Sequence, residues 1–175
     1  DGFNASLVAI SDDHGGTWRA SRPIIGLGPI QPSLARRRDG TIVAFCRDSG
    51  PPPFRVMASL SHDNGETWSA ALDTTLPNPG SSLEVTVLRD GRWLIVYNDS
   101  NKSRDNLTVS ISTDEGKTWP LKQRLEPQDD SVTSFSYPSV IQSADGAVHI
   151  TYTCKGPRGG RIRHGILQLN QLKSD

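Results

Sequence analysis

One eight-residue phrase is written three times in this chain, as "SDDHGGTW" from Ser11 to Trp18, "SHDNGETW" from Ser61 to Trp68 and "STDEGKTW" from Ser112 to Trp119. A near-constant spacing of about 50 residues signals stacked copies of one supersecondary unit, none of which buries its apolar face alone. A second signal keeps step with the first. Asp-Gly pairs at Asp39-Gly40, Asp90-Gly91 and Asp145-Gly146 stand between apolar runs, and that context predicts a hairpin closed by a type I′ turn.

Laid over one another, the hairpins read "PSLARRRDGTIVAFCRD", "LEVTVLRDGRWLIVYND" and "PSVIQSADGAVHITYTC", each followed by a polar loop. Then come "RVMASLS", "LTVSIS" and "RIRHGILQL", the first two leading straight into the phrase. No segment carries a sustained helical period. The expected fold is all-β, a β-propeller of four-stranded antiparallel blades, with about three and a half blades present. With strands lettered A to D outward, the chain reads as one partial propeller domain over 1–175. It comprises strands C and D at 5–26, whole blades at 30–76 and 82–126, and strands A to C at 135–170. Propellers close with four to eight blades, so the expectation is completion by a second copy of the chain or by another polypeptide segment.

Every fixed position of the phrase has a folding task. Ser11, Ser61 and Ser112 tie the arms of a C–D turn, Asp13, Asp63 and Asp114 accept its backbone N–H groups, and Gly15, Gly65 and Gly116 take positive φ. Trp18, Trp68 and Trp119 then re-enter the core. An active site is used once, whereas this element recurs, and a Ca²⁺ loop needs more oxygen ligands than it offers. The phrase is therefore read as structural.

Composition narrows the partners. With 19 basic and 19 acidic side chains, nothing directs the chain to nucleic acid or to an anionic membrane surface, and no run approaches the ~20 apolar residues of a membrane span. Cys46 and Cys154 are far apart with no second ligand at metal spacing, so no metal and no cofactor is expected. The first residues lack a basic region and a cleavage site. The chain reads as soluble, or as the mature part of a secreted or periplasmic protein, and the compartment stays open.

The phrase resembles the Asp box, or BNR repeat, of the sialidase superfamily. "IQPSLARRRDGTIVAFCRD" and "FSYPSVIQSADGAVHITYT" are similar to the last blades of bacterial sialidase-like glycoside hydrolases. That resemblance implies the C-terminal half of a six-bladed ring. It also implies chemistry on the face opposite the Asp boxes: an arginine triad for a sugar carboxylate, a tyrosine nucleophile activated by a glutamate, and an aspartate acid. Guanidinium groups match a carboxylate in two-point fashion, and a phenol approaches an anionic sugar with less repulsion than a carboxylate would.

Residues at the start of strand A and the end of strand B lie nearest the channel of such a ring. Carried over by position, Arg47 matches the middle arginine and Tyr137 the nucleophile. Gln31 stands where the glutamate is expected and Asn98 where the third arginine is expected; Glu84 could serve the tyrosine instead, and Arg161 or Arg163 could supply a cation. The acid and the first arginine are implied in blades outside this chain. Three readings follow: a sialidase-like exo-glycosidase acting on anionic glycans, a non-catalytic propeller fragment that binds glycan or protein and completes its ring by oligomerisation, or a purely structural repeat fragment that assembles and carries no site of its own.

Overall fold

A computed structural model describes residues 4–126 and 132–169. The expected end of the last blade, residue 170, and part of the loop before Phe135 lie outside the described residues. The chain divides into two compact units, Asp1–Leu76 and Pro77–Asp175. Among the described residues there is no helix long and apolar enough to cross a membrane.

The first unit holds a two-stranded ladder, β1 (Ala9–Ile10) with β2 (Arg19–Ala20), and a four-stranded antiparallel sheet. That sheet runs β3 (Pro29–Arg36), β4 (Ile42–Asp48), β5 (Arg55–Ser61) and β6 (Leu72–Pro77) in spatial order. Its core joins Ile24, Ala44, Cys46, Met57 and Ala71. Both cysteines of the chain are buried free thiols, and burial pushes the Cys46 thiol up to about 12.

In the second unit β7 (Glu84–Val87), β8 (Trp93–Tyr97), β9 (Leu107–Ser112) and β10 (Leu121–Glu126) form a second four-stranded sheet in the same meander order. A three-stranded sheet follows, β11 (Ser134–Gln142), β12 (Val148–Gly156) and β13 (Gly159–Leu167). Alternate residues of each sheet, among them Leu94, Val96, Val109, Phe135, Ile150 and Tyr152, join one apolar cluster. This is the face-to-face packing that period-2 patterning builds. These are propeller blades, as the repeat required.

The turns differ from expectation in an informative way. At the Asp-Gly hairpins only Gly40, Gly91 and Gly146 have positive φ (91°, 85° and 91°). Gly40 N–H donates to Arg37 O at 3.1 Å and Arg37 N–H to Thr41 O at 2.8 Å, a pattern repeated at Leu88–Arg92 and Ser143–Ala147. Each is a three-residue loop, a type I turn closed by a left-handed glycine, rather than type I′. The aspartate keeps negative φ and accepts the next strand's first N–H, as Asp39 does from Thr41 at 2.9 Å.

Paired left-handed residues occur instead in the Asp boxes, at His14-Gly15, Asn64-Gly65 and Glu115-Gly116. There the serine hydroxyl accepts the glycine N–H at 2.7, 2.8 and 2.9 Å in the three boxes. The aspartate accepts the threonine N–H at 2.8, 2.9 and 2.8 Å. The tryptophans do not share one fate: Trp119 is buried, Trp68 half-buried and Trp18 64% exposed. Trp18 sits beside the two-stranded ladder, where its indole N–H donates to Gly15 O at 3.1 Å.

Candidate functional site

At the loop end of the first sheet two connections touch through their backbones. Ser49 N–H donates to Gly28 O at 2.9 Å, and a Cβ added to Gly50 would stand 1.7 Å from Leu27 O. Only glycine permits that approach. Asp48, buried, caps the same loop by accepting Gly50 N–H at 2.7 Å and Arg55 N–H at 3.1 Å. Asp48 therefore holds backbone, while its neighbour Arg47 points its Nη1 at Gln31 Oε1, 3.0 Å away. Arg47 Nε is buried without a hydrogen-bond partner among the described residues.

Gln31 belongs to a bulge. The β3–β4 register shifts between Ile30 and Ser33, and Gln31 takes φ 50° immediately before Pro32. Tyr137 repeats this device in the last sheet: the β11–β12 register shifts between Ser136 and Ser139, and Tyr137 takes φ 52° before Pro138. A left-handed bulky residue is uncommon, and a following proline disfavours helical backbone. Such positions cost of order 1–3 kcal/mol and cluster at functional sites. The bulge throws both side chains outward, leaving Tyr137 57% exposed, and its phenol makes no hydrogen bond with the described residues.

The remaining candidates are distributed differently. Glu84 pairs with Val96 at the start of β7, the register position of Ser33 and Ser139. The position in that sheet matching Gln31 and Tyr137, eight residues before the turn aspartate, is Ser82. Asn98 is 1% exposed: its Nδ2 donates to Asn106 O and, at 3.3 Å, to Phe135 O, and its Oδ1 has no partner. It braces loops and does not face solvent. Arg163 is committed to Glu126 at 2.8 Å, and Glu126 also accepts the hydroxyl of Tyr152. Burial, reinforced by the hydrogen bond to Glu126, pushes the Tyr152 phenol above its ordinary value. Arg161 is exposed and lines a cavity of about 300 Å³ with Val132, Cys154, Pro157 and Arg158.

Two residues not singled out in the sequence complete the surroundings of Tyr137. Ser82 Oγ accepts the Tyr137 N–H at 2.8 Å, and Arg104 accepts the Phe135 N–H at its carbonyl (2.6 Å) while donating from Nη2 to Gly80 O at 2.7 Å. Both sit in loops whose polar residues look alike by type. Only the spacing of Ser82 from Asp90 marked it.

Blade architecture and three Asp boxes define a sialidase-like Asp-box propeller domain. The profile of the BNR repeat-like domain matches residues 2–150, and the chain belongs to that family. It is 29% identical over 157 residues to a sialidase of Micromonospora viridifaciens, covering 84% of this chain and 23% of the relative. To a sialidase of Paraclostridium sordellii it is 25% identical over 182 residues, covering 91% and 44%. The chain thus spans less than half the length of each of these relatives. Among solved structures, a protein of unknown function from Dyadobacter fermentans superposes with TM-score 0.76 at 25% identity, over 93% of this chain and 45% of that one. The NanB sialidase of Streptococcus pneumoniae superposes with TM-score 0.75 at 20% identity, over 97% and 28%, a likeness of fold.

Proposed function

We propose that this chain is part of a sialidase-like exo-glycosidase acting on anionic glycans, with Tyr137 as the residue that meets the sugar. The observation that carries this reading is the strained bulge that exposes the phenol while the residues on either side are buried. In the reaction the phenol oxygen bonds to the anomeric carbon as the glycosidic bond breaks. The phenolic proton passes to a carboxylate, for which Glu84 is the candidate in this chain, and the departing alkoxide takes a proton from an acid supplied outside it. Water then releases the sugar and restores the phenol. Within the same unit as Tyr137, exposed Arg161 is a cation proposed for the sugar carboxylate, and Arg47 is proposed by itself as an anion-binding residue of the first unit.

The curated relatives are named sialidases, which supports a sialoside as the first substrate to try. Turnover of a fluorogenic sialoside, abolished in Tyr137→Phe, is the expected result; equal turnover in that variant would remove Tyr137 from the chemistry.

A second reading, binding without catalysis, is favoured by one specific observation: at the position where the resemblance expects a glutamate, Gln31 offers a neutral amide already engaged by Arg47. Either reading includes completion of the blades by a second copy or another segment. In support, no described strand pairs with the outer edge of β13, whose Ile162 and Ile166 are 72% and 60% exposed. Light scattering should give a mass above that of one 19.0 kDa chain.

A further inference from the structure

The three strand-A entries of this chain are not equivalent. Gln31 and Tyr137 each precede a Pro-Ser pair, lie in a register shift and have left-handed backbone. Ser82, at the same distance from its turn, precedes Leu83-Glu84, has no positive φ and belongs to a sheet entry without a bulge. The middle blade therefore displays no side chain from a bulge at this position. Half-buried Ser82 instead turns its hydroxyl to the next sheet and accepts the N–H of Tyr137 at 2.8 Å.

That N–H needs an acceptor for a structural reason. A bulge leaves its extra residue out of the ladder, so the Tyr137 amide finds no partner on β12. Two residues earlier the chain is pinned: Phe135 gives its N–H to Arg104 O and receives Asn98 Nδ2 at its carbonyl. Its ring meets Tyr152 edge-on, with centroids 6.1 Å apart. Pro138, which is buried, fixes the other side. Between these anchors the left-handed conformation persists only where its surroundings over-determine it, and the Ser82 hydroxyl is the contact that acts on Tyr137 itself.

We propose that Ser82 is a positioning residue for Tyr137: the preceding blade has given up its own displayed side chain and uses that position to lock the tyrosine bulge in the form that presents the phenol. The inference rests on the reading of Tyr137 as the ligand-facing residue, and its test separates the two. Hydrogen exchange of the Tyr137 amide should quicken at least tenfold in Ser82→Ala, return to the wild-type rate in Ser82→Thr, and leave the amides of β8 and β12 unchanged. An unchanged Tyr137 rate in Ser82→Ala overturns the clamp, whether or not the chain binds sugar. On the ligand side, the dissociation constant for sialic acid should rise several-fold in Ser82→Ala and recover in Ser82→Thr. If Tyr137→Phe weakens binding and Ser82→Ala does not, positioning is refuted. If Tyr137→Phe leaves binding untouched, the reading of Tyr137 fails, and the exchange rates still decide the clamp.

Discussion

Arg47 Nη1 lies 3.0 Å from Gln31 Oε1, so the guanidinium proposed for an anionic ligand already rests on a neutral amide. A neutral acceptor orients the arginine without spending its charge, whereas a carboxylate there would form a charge-assisted pair. Gln31→Glu should therefore weaken sialic acid binding at this position several-fold, and Arg47→Ala should weaken it further. Because the Gln31 side chain is exposed, Gln31→Glu should shift unfolding by less than about 1 kcal/mol. Titration with sialic acid and urea denaturation of the same variants check both halves; tighter binding in Gln31→Glu would contradict the assignment of Arg47.

The crossing of two loops behind that pair is a stricter constraint. With Leu27 O 1.7 Å from the place a Cβ would occupy on Gly50, the backbone must move to admit even alanine. Overpacking of this kind costs typically about 1–3 kcal/mol. Gly50→Ala should lower the urea midpoint accordingly, while Gly40→Ala, where a Cβ meets nothing within 4 Å, should lose only the smaller penalty of a left-handed φ.

The blades were legible because their spacing is set by chain length per sheet, and the Asp boxes mark it with residues that each bond locally. Turn type was less legible: Asp-Gly serves a two-residue loop and a three-residue loop alike, and whether Arg37 or Arg38 ends the strand is not written in the residue types. Tyr137 and Gln31 stood out as strand-A entries, and the proline after each was visible; the left-handed backbone between was not, since it depends on a register shift against β12 or β4. Asn98 read as a channel residue because its strand position pointed there. The return of the loop at Asn106 covers it, a long-range fact that single-strand patterning does not carry. Glu84 read as a counterpart of Gln31 until the register placed Ser82 there.

The unequal burial of the box tryptophans separates their energetics. Trp119 is 7% exposed and Trp18 64%, though both occupy the last place of the same phrase. Removing a buried tryptophan costs typically about 3–5 kcal/mol, whereas surface substitutions fall mostly within about 0.5 kcal/mol. Trp119→Ala should therefore destabilise the second unit severely and Trp18→Ala barely affect the first. Denaturation followed by far-UV circular dichroism distinguishes them, and equal losses would show that Trp18 is covered in solution.

The Asp boxes also set an acid limit. Asp13, through Thr17 N–H and hydroxyl and then Ser11, and Asp63, through the Thr67 hydroxyl and N–H and then Ser61, are both held down at about 2 from an ordinary 3.8. For Asp114 burial acts upward, yet hydrogen bonds from Thr118 and Ser112 still bring it to about 2. A carboxyl with a lower value folded than unfolded binds fewer protons in the native state, so stability rises with pH across the interval between the two values. The contribution is complete above about pH 4, near the unfolded carboxylate value, and is lost as pH falls through 2. Thermal melting should hold level from pH 7 to about pH 5 and drop steeply between about pH 4 and pH 2. The triple variant Asp13→Asn, Asp63→Asn, Asp114→Asn, which cannot titrate at these sites, should start lower at pH 7 and show a shallower acid slope. An unchanged slope in that variant would move the acid sensitivity of the fold to other carboxylates.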